Sequence, residues 1–573
     1  MFMNQRFYPI KILFFIILIS GVFRFYGLNW DQGFHLHPDE RAITMYSLTL
    51  SFPNSFTEFF SVNSPLNPHF FAYGSFPLYL LKGAGVLGGF FDSSFSQYAN
   101  INILGRYISA LFDISTIILI YFLGKRVLNK QVGLLSAFFY SISVLPIQSS
   151  HFYIVDIPLT FFTLLTLYIL ICFYEKPTLQ KAILIGFTFG LSIATKTSAS
   201  LLTVSIGTAL FADFLLIFFR SPHKPKNWLP HLPKVLKKLF VFGLLISCTA
   251  TVVFFAAEPY ALISFPEFFK QTLQQRIMTY NPFIFPYTLQ YVGKIPYLYE
   301  VKNLFLWGQG PFLSLFSIMG AFYFTFLAFK RSREEKWAKE TILAVFFWVY
   351  FLVVGKFAIG FMRYLLPIYP LLCLFAAMLF FQLIQFLTKR FKPPMLSVIY
   401  LLFFILFLVW PISFLQVYTK PNTRTSATNW INKNIPLGKS IAIEHWDDTL
   451  PLLGQQNYYM ITLELYNQDT PLKWMGINQQ ISQADYIIIA SNRLYAPLQK
   501  LTDCANLPPS SCYRQTAKYY QDLFSGRLNF EKVAEFASYP TIPIVNIPIN
   551  DQEADESFTV YDHPKVMIFK RHK

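Results

Sequence analysis

The chain has 573 residues, of which 54% are hydrophobic and only 13% are charged. A soluble protein of this length carries roughly a quarter of its residues as charges, so the composition excludes an ordinary water-soluble enzyme and indicates an integral membrane protein. The net charge of +17 does not indicate a nucleic-acid partner. Lys and Arg cluster in short loops between apolar runs, the pattern that sets membrane topology.

Several runs reach the ~20 apolar residues that a spanning helix needs. In chain order, about eleven spans are expected, near 9–28, 104–124, 131–147, 155–174, 181–195, 199–219, 239–257, 304–329, 341–359, 364–388 and 395–417. The first run follows Arg6 and Lys11 and has no small-residue cleavage site after it, so it reads as a retained helix rather than a signal peptide. The fifth is short and runs into "TKTSAS", which suggests two half-length helices meeting at a polar break. With a cytoplasmic N-terminus, the loops "GKRVLNKQ", "YEKPTLQK", "RSPHKPKNWLPHLPKVLKK", "KRSREEKWAKE" and "TKRFKPP" all fall inside, and all are basic. The long segments 29–103 and 258–303 then lie outside. Within the second, Phe265, Phe269, Leu273 and Ile277 recur at four-residue spacing. This predicts a helix lying along the membrane interface or packed on a neighbouring domain.

Residues 1–417 form the expected membrane domain. Residues 418–573 are polar, of mixed charge and without a spanning run. There "TSATNWINKNI" reads as a helix, and "KSIAIEHW", "ADYIIIAS" and "KVMIFKR" read as strands. A small extracytoplasmic α/β domain is expected. Cys172, Cys248 and Cys373 lie in apolar runs and read as small hydrophobes. Cys504 and Cys512 lie in the polar region and would pair if it faces an oxidising compartment.

Three clusters carry chemistry. In "HLHPDERAI", Pro38 suits the first turn of a helix, with Asp39 and Glu40 where the helix dipole favours acids. A helix start does not explain His35, His37 and Arg41 beside them. In "HFYIVDIPLTFF", Asp156 precedes Pro158 near another helix start, with His151 close by. Capping is the plain reading of Asp156. Yet two acids at the outer mouths of two helices, in a chain so poor in acids, suggest a site. The third cluster is basic: Lys196, Arg276, Lys356 and Arg363 fall on the outer side, where the topology rule does not call for them. A lipid phosphate would explain them, and so would snorkelling to the interface. Asp113 and Asp213 lie inside spans and read as partners of a hydroxyl or a base between helices, or as parts of a proton path.

The order of "HPDE", "GRYISALFD", "SHFYIVDIPLTFFTLL", "LSIATKTSA", "NLFLWGQGPFL" and "MRYLLPIYPLL" resembles the GT-C glycosyltransferases. It resembles in particular the bacterial relatives of the dolichyl-phosphate-mannose–protein mannosyltransferases, glycosyltransferase family 39. The resemblance implies a GT-C fold and a polyprenyl-phosphate sugar donor. It implies transfer with inversion on the extracytoplasmic side of the cell membrane. It makes Asp39 the expected general base, Glu40 its companion and Asp156 the second acid. Arg106, Lys196, Arg276 and Arg363 become the candidates for the donor phosphate, with His37 and His151 as further site candidates. Some GT-C enzymes hold a divalent metal with acids here, a role that would fall to Asp39, Glu40, Asp156 and His37, although no fixed spacing requires it. The chain lacks the large domain that the protein O-mannosyltransferases insert between spans, so the acceptor stays open among protein, lipid and glycan.

Two functional classes fit a polytopic chain of this kind. An enzyme requires the clustered acids and bases. A transporter or flippase for a lipid-linked sugar predicts inverted repeats or paired broken helices, and the sequence holds one break and no repeat.

Overall fold

The computed structural model describes residues 8–220, 229–331, 334 and 337–572. Arg6 and parts of two basic loops (221–228, 332, 333, 335 and 336) lie outside the described residues.

Helix α1 (Tyr8–Phe25) is followed by a loop carrying α2 (Pro38–Thr49). The bundle continues with α3 (Ile101–Val127), α4 (Lys130–Ser141), α5 (Val144–Ser150), α6 (Asp156–Glu175), α7 (Leu179–Thr195), α8 (Leu202–Arg220) and α9 (Leu232–Ala257). A second loop carries α10 (Phe265–Tyr280), and the bundle closes with α11 (Pro311–Lys330), α12 (Trp337–Val354), α13 (Tyr369–Arg390) and α14 (Pro393–Leu415).

Among the described residues, eight helices are long and apolar enough to cross a membrane, or nine if the pair α4 and α5 counts as one span bent by 58°. The other two expected spans correspond to α1, with 18 residues, and α7, with 17. The bent span is therefore the third, not the fifth. Pro146 lies in the first turn of α5 and has no N–H to continue the ladder from α4, so the helix restarts in a new direction. After α7, Lys196 takes extended backbone before a short 3-10 turn, Thr197–Leu201, leads into α8.

Both acids within spans are paired. Asp113 accepts from Arg24 Nε and from the Tyr140 hydroxyl, each at 2.5 Å, and Asp213 holds Lys238 at 2.7 Å. The apolar stripe of α10 is bare, with Phe265, Phe269, Leu273 and Ile277 all exposed. It does not pack on the C-terminal domain, which leaves the interfacial reading.

The C-terminal domain follows α14. Its helices are α15 (Thr423–Asn434), α16 (Pro471–Gln483) and α17 (Arg514–Phe524). Its sheet has five strands, β1 (Ser440–Glu444), β2 (Tyr459–Leu463), β3 (Tyr486–Ile489), β4 (Phe530–Phe536) and β7 (Val566–Arg571), in the order β2-β1-β3-β7-β4. β1 runs parallel to β2 and β3, and β7 runs antiparallel to β3 and β4. Side chains alternate across the pleat, and β3 is buried along its whole length. Ile487 and Ile489 enter the core shared with Trp474 and Tyr520, while Tyr486 and Ile488 enter the core shared with Ala427 and Ile431. Both faces are thus covered, as a continuous apolar strand requires. A two-stranded hairpin, β5 (Thr541–Ile542) and β6 (Ile547–Pro548), precedes β7. Cys504 and Cys512 form a disulfide.

The domain is seated on the bundle by buried polar contacts. Asp562 accepts from Gln148 Nε2 (3.1 Å) and from the Tyr418 hydroxyl (2.7 Å). His563 sits between Asp562 and Asp551. Burial opposes its charge, but the two carboxylates outweigh that and lift its pKa to about 10.

Candidate active site

Pro38 opens α2, and His37 caps it by accepting the Glu40 N–H on Nδ1 at 3.4 Å. Successive helical residues point about 100° apart, so Asp39 and Glu40 leave the same turn in different directions. Glu40 turns inward. Arg106 Nη2 reaches Glu40 Oε1 at 2.6 Å and Asp31 Oδ2 at 2.7 Å, and Arg106 Nη1 donates to the Leu28 carbonyl at 2.7 Å. The Tyr153 N–H supplies a further donor to Glu40 at 2.8 Å. Arg106, Asp31 and Glu40 are all fully buried, and the guanidinium lies over Trp30. Arg106 and Glu40 therefore hold the loop to the bundle, and neither lines the two cavities described below.

Asp39 turns the other way. Its Oδ2 meets Arg363 Nη2 at 2.8 Å, Arg363 Nε lies 3.8 Å from Asp156, and Lys196 Nζ lies 2.6 Å from Asp156 Oδ1. Two acids and two bases thus alternate along one wall. Each comes from a different element: α2, the 3-10 turn Met362–Ile368, the first residue of α6, and the break after α7. Burial would raise the Asp39 pKa, but Arg363 foremost, with the Tyr73 hydroxyl and Lys196, pulls it below the usual carboxylate range. Asp39 is an anion at neutral pH. Burial pushes His37 down to about 3, so its imidazole is neutral.

Two cavities meet at this wall. One, of about 410 Å³, is largely apolar and is lined by Phe71, Phe268, Val353 and Phe357, with Glu258 and Arg276 at its polar points. The other, of about 440 Å³, is the more polar of the two. Asp39, Arg41 and Arg363 line it from the membrane domain, and Trp446, Asp447, Asp448, Arg493, Glu556 and Tyr561 line it from the C-terminal domain. Tyr73, Lys196, Gln275 and Tyr364 line both. Lys196 stands at the junction, 4.4 Å over the Tyr364 ring.

Of the residues expected from sequence, the structure brings Asp39, Asp156, Lys196 and Arg363 together and sets Arg276 in the adjoining apolar cavity. It does not bring in Glu40, Arg106, His37 or His151. His151 is buried between the carbonyls of Ile147 (2.8 Å) and Tyr26 (2.9 Å), stacked on Tyr418. The four residues named for a metal do not converge either. Glu40 is taken by Arg106, Asp156 by Lys196, Asp39 by Arg363, and His37 Nδ1 by a backbone N–H. Among the described residues no group of three His, Cys, Asp or Glu is arranged for a metal. Sequence reasoning missed Tyr73, Tyr364 and the C-terminal wall. Tyr364 adjoins Arg363 in "MRYLLP", and Asp447 and Asp448 stand out in "EHWDD". Tyr73 is one of 34 tyrosines and carries no signal of its own.

Residues 102–246 match the family model described as dolichyl-phosphate-mannose-protein mannosyltransferase. The fold superimposes on the archaeal oligosaccharyltransferase AglB from Archaeoglobus fulgidus in complex with an inhibitory peptide and a dolichol-phosphate. Identity is 13%, coverage is 99% of this chain and 89% of that one, and the TM-score is 0.51. The chain has the GT-C fold. The apo oligosaccharyltransferase of the same organism gives a TM-score of 0.50 over the same shares at 13% identity. ArnT from Cupriavidus metallidurans bound to undecaprenyl phosphate gives 0.45, at 12% identity, over 87% of this chain and 95% of that one. No curated protein matches. The family-model match thus lies within the helical membrane domain, and the likeness to solved structures over the whole chain, sheet-containing C-terminal domain included, is one of fold.

Proposed function

We propose that the protein is an inverting membrane glycosyltransferase that moves a single sugar from a polyprenyl-phosphate donor to a hydroxyl of an extracytoplasmic acceptor. The observation that carries this is the position of Asp39. It is an anionic carboxylate that lines the more polar cavity, on the same wall as Lys196, which this cavity shares with the apolar one. The apolar cavity suits the lipid end of the donor and the polar cavity suits the acceptor. Residues 1–417 are the catalytic unit in this reading, and residues 418–573 wall the acceptor side.

The acceptor hydroxyl enters beside Asp39, which takes its proton as the oxygen attacks C1 of the sugar. The bond from C1 to the phosphate oxygen breaks on the opposite face, and the lipid phosphate leaves with the electron pair. Attack opposite the leaving group inverts the anomeric centre. The phosphate needs no proton if cations meet its developing charge. Lys196, Arg363 and Arg276 are the residues placed to do so. Asp156 holds Lys196 and Arg363 between the cavities and fixes where that charge is received. With Asp39, Asp156 and Glu40 already taken by cations, no step is routed through a metal.

The membrane orientation belongs to the same proposal: N-terminus cytoplasmic and C-terminal domain outside. The basic composition of the loops that alternation of the spans puts on the cytoplasmic side supports it, as does the Cys504–Cys512 pair, a bond of oxidising compartments. The test is a transfer assay. The purified protein is given labelled polyprenyl-phosphate mannose, with a membrane extract as acceptor pool, and other polyprenyl-phosphate sugars follow in turn. Label should move to a new product whose anomeric configuration, read by NMR, is opposite to the donor's. Retention, or no transfer from any such donor, would overturn the proposal.

A further inference from the structure

The hairpin of the C-terminal domain ends in an apolar tip that none of the described residues covers. Ile544 is 98% exposed, Val545 58% and Ile547 54%. The segment from Phe536 to Asn550, "FASYPTIPIVNIPIN", has no charged residue. The tip is also strained, with Ile544 at φ 72° and Asn546 at φ 54°. A β-branched residue in the left-handed region is unfavourable, so isoleucine at this position is disfavoured by both its conformation and its exposure to water. An apolar environment outside the protein would offset both.

The neighbours of the hairpin indicate which environment that is. β5 packs against α14, the last spanning helix, and Ile549, just after β6, joins the core of the membrane domain. Along α14 the side chains Leu401, Leu402, Phe404 and Ile405 are bare, as lipid-facing residues are. Beyond them, toward the C-terminal domain, Phe407, Trp410 and Phe414 are buried. The strand that leads to the bare tip, and Ile549 that follows it, are therefore held against the membrane domain, on the helix whose outer side chains are bare. Its backbone is suited to that place, because Pro540, Pro543 and Pro548 bring no N–H donor to be left unsatisfied near hydrocarbon.

We propose that the 541–548 hairpin inserts its tip into the bilayer leaflet on the side of the C-terminal domain and so seats that domain on the membrane. Glu556 and Tyr561, which line the polar cavity, follow in the chain a few residues later. The anchor thus sets the height of the cavity wall they form. The occupant is lipid acyl chain at the interface, as for other apolar segments that lie in a membrane without spanning it.

The experiment uses the full-length protein in nanodiscs of phosphatidylcholine and phosphatidylglycerol. Cys172, Cys248 and Cys373 are changed to Ser, and the Cys504–Cys512 bond is kept. An environment-sensitive fluorophore is attached through Ile544→Cys or, as control, through Leu472→Cys, another exposed position of the same domain (74% exposed). Lipids carrying a nitroxide on the acyl chain should quench the label at 544 several-fold more than the label at 472, and its emission should be shifted to the blue. Equal quenching at the two sites would overturn the proposal. Self-quenching at 544, relieved by dilution with unlabelled protein, would also overturn it, because a second copy would then cover the tip.

Discussion

Arg106 is fully buried between Asp31 and Glu40, so its replacement tests whether it serves the fold or the donor. Arg106→Met removes the cation that pairs with both carboxylates and takes away a donor to the Leu28 carbonyl. Breaking a buried ion pair by removing one partner costs about 3–5 kcal/mol, because the other charge stays buried without compensation. Here two anions share that fate, so the lower end of the range is a floor. A change of 1 kcal/mol moves Tm by about 2–4 °C in a domain of a few hundred residues or less, and by less in a larger one. At about 1 °C per kcal/mol for a chain of this length, the variant should therefore lose at least about 3 °C in detergent. Glu40→Gln keeps Arg106 paired with Asp31 and should lose less. The assay is thermal unfolding alongside donor KM on the fraction that remains folded. If Arg106→Met keeps the wild-type Tm but raises donor KM, Arg106 meets the phosphate and the structural assignment is wrong.

Other outcomes follow from the same geometry. Lys196→Met removes the cation shared by both cavities, and kcat/KM for the donor should fall about 100-fold, since removing one group that meets developing charge costs about that much; the loss in Tm should be smaller than for Arg106→Met, because Asp156 keeps Arg363 beside it. Glu258 lines the apolar cavity and accepts from Ser75 Oγ at 3.2 Å, and burial pushes its carboxyl up to about 8. Above that pH an anion appears beside the site proposed for the phosphate. Donor KM should then rise in the wild type and stay flat in Glu258→Gln. For His563 the folded pKa is about 10, against about 6.5 for a free histidine. Its contribution to stability is thus complete below about pH 6.5 and is lost as pH rises toward 10. A Tm series from pH 6 to 10 should fall in the wild type and lose that component of the slope in His563→Gln.

The spans were legible because each is a continuous apolar run, and the buried strands β1, β3 and β7 for the same reason. β4 was not, since its exposed charged residues, Glu531, Lys532 and Glu535, read as ordinary polar chain. The bend was placed at "TKTSAS" because of its polarity, whereas Pro146 in "SVLPIQ" decides it by lacking an N–H. In the site, Asp39, Asp156, Lys196 and Arg363 stood out because acids and bases are scarce in so apolar a chain. Glu40 and Arg106 stood out on the same ground, yet they are paired with each other. Sequence position does not say which way two neighbours on one helical turn face. Trp446, Arg493 and Tyr561 come from a domain some 400 residues beyond "HPDE", and only tertiary structure brings them to it.

The central claim is that Asp39 takes the acceptor proton, and the direct measurement is single-turnover transfer from labelled polyprenyl-phosphate sugar by wild type and Asp39→Asn, with donor binding followed in parallel. The amide keeps the shape of the side chain and removes the base. The prediction is donor binding by both proteins and transfer by the wild type alone. Equal transfer by both would return "HPDE" to the role of a helix start and leave the reaction without its base.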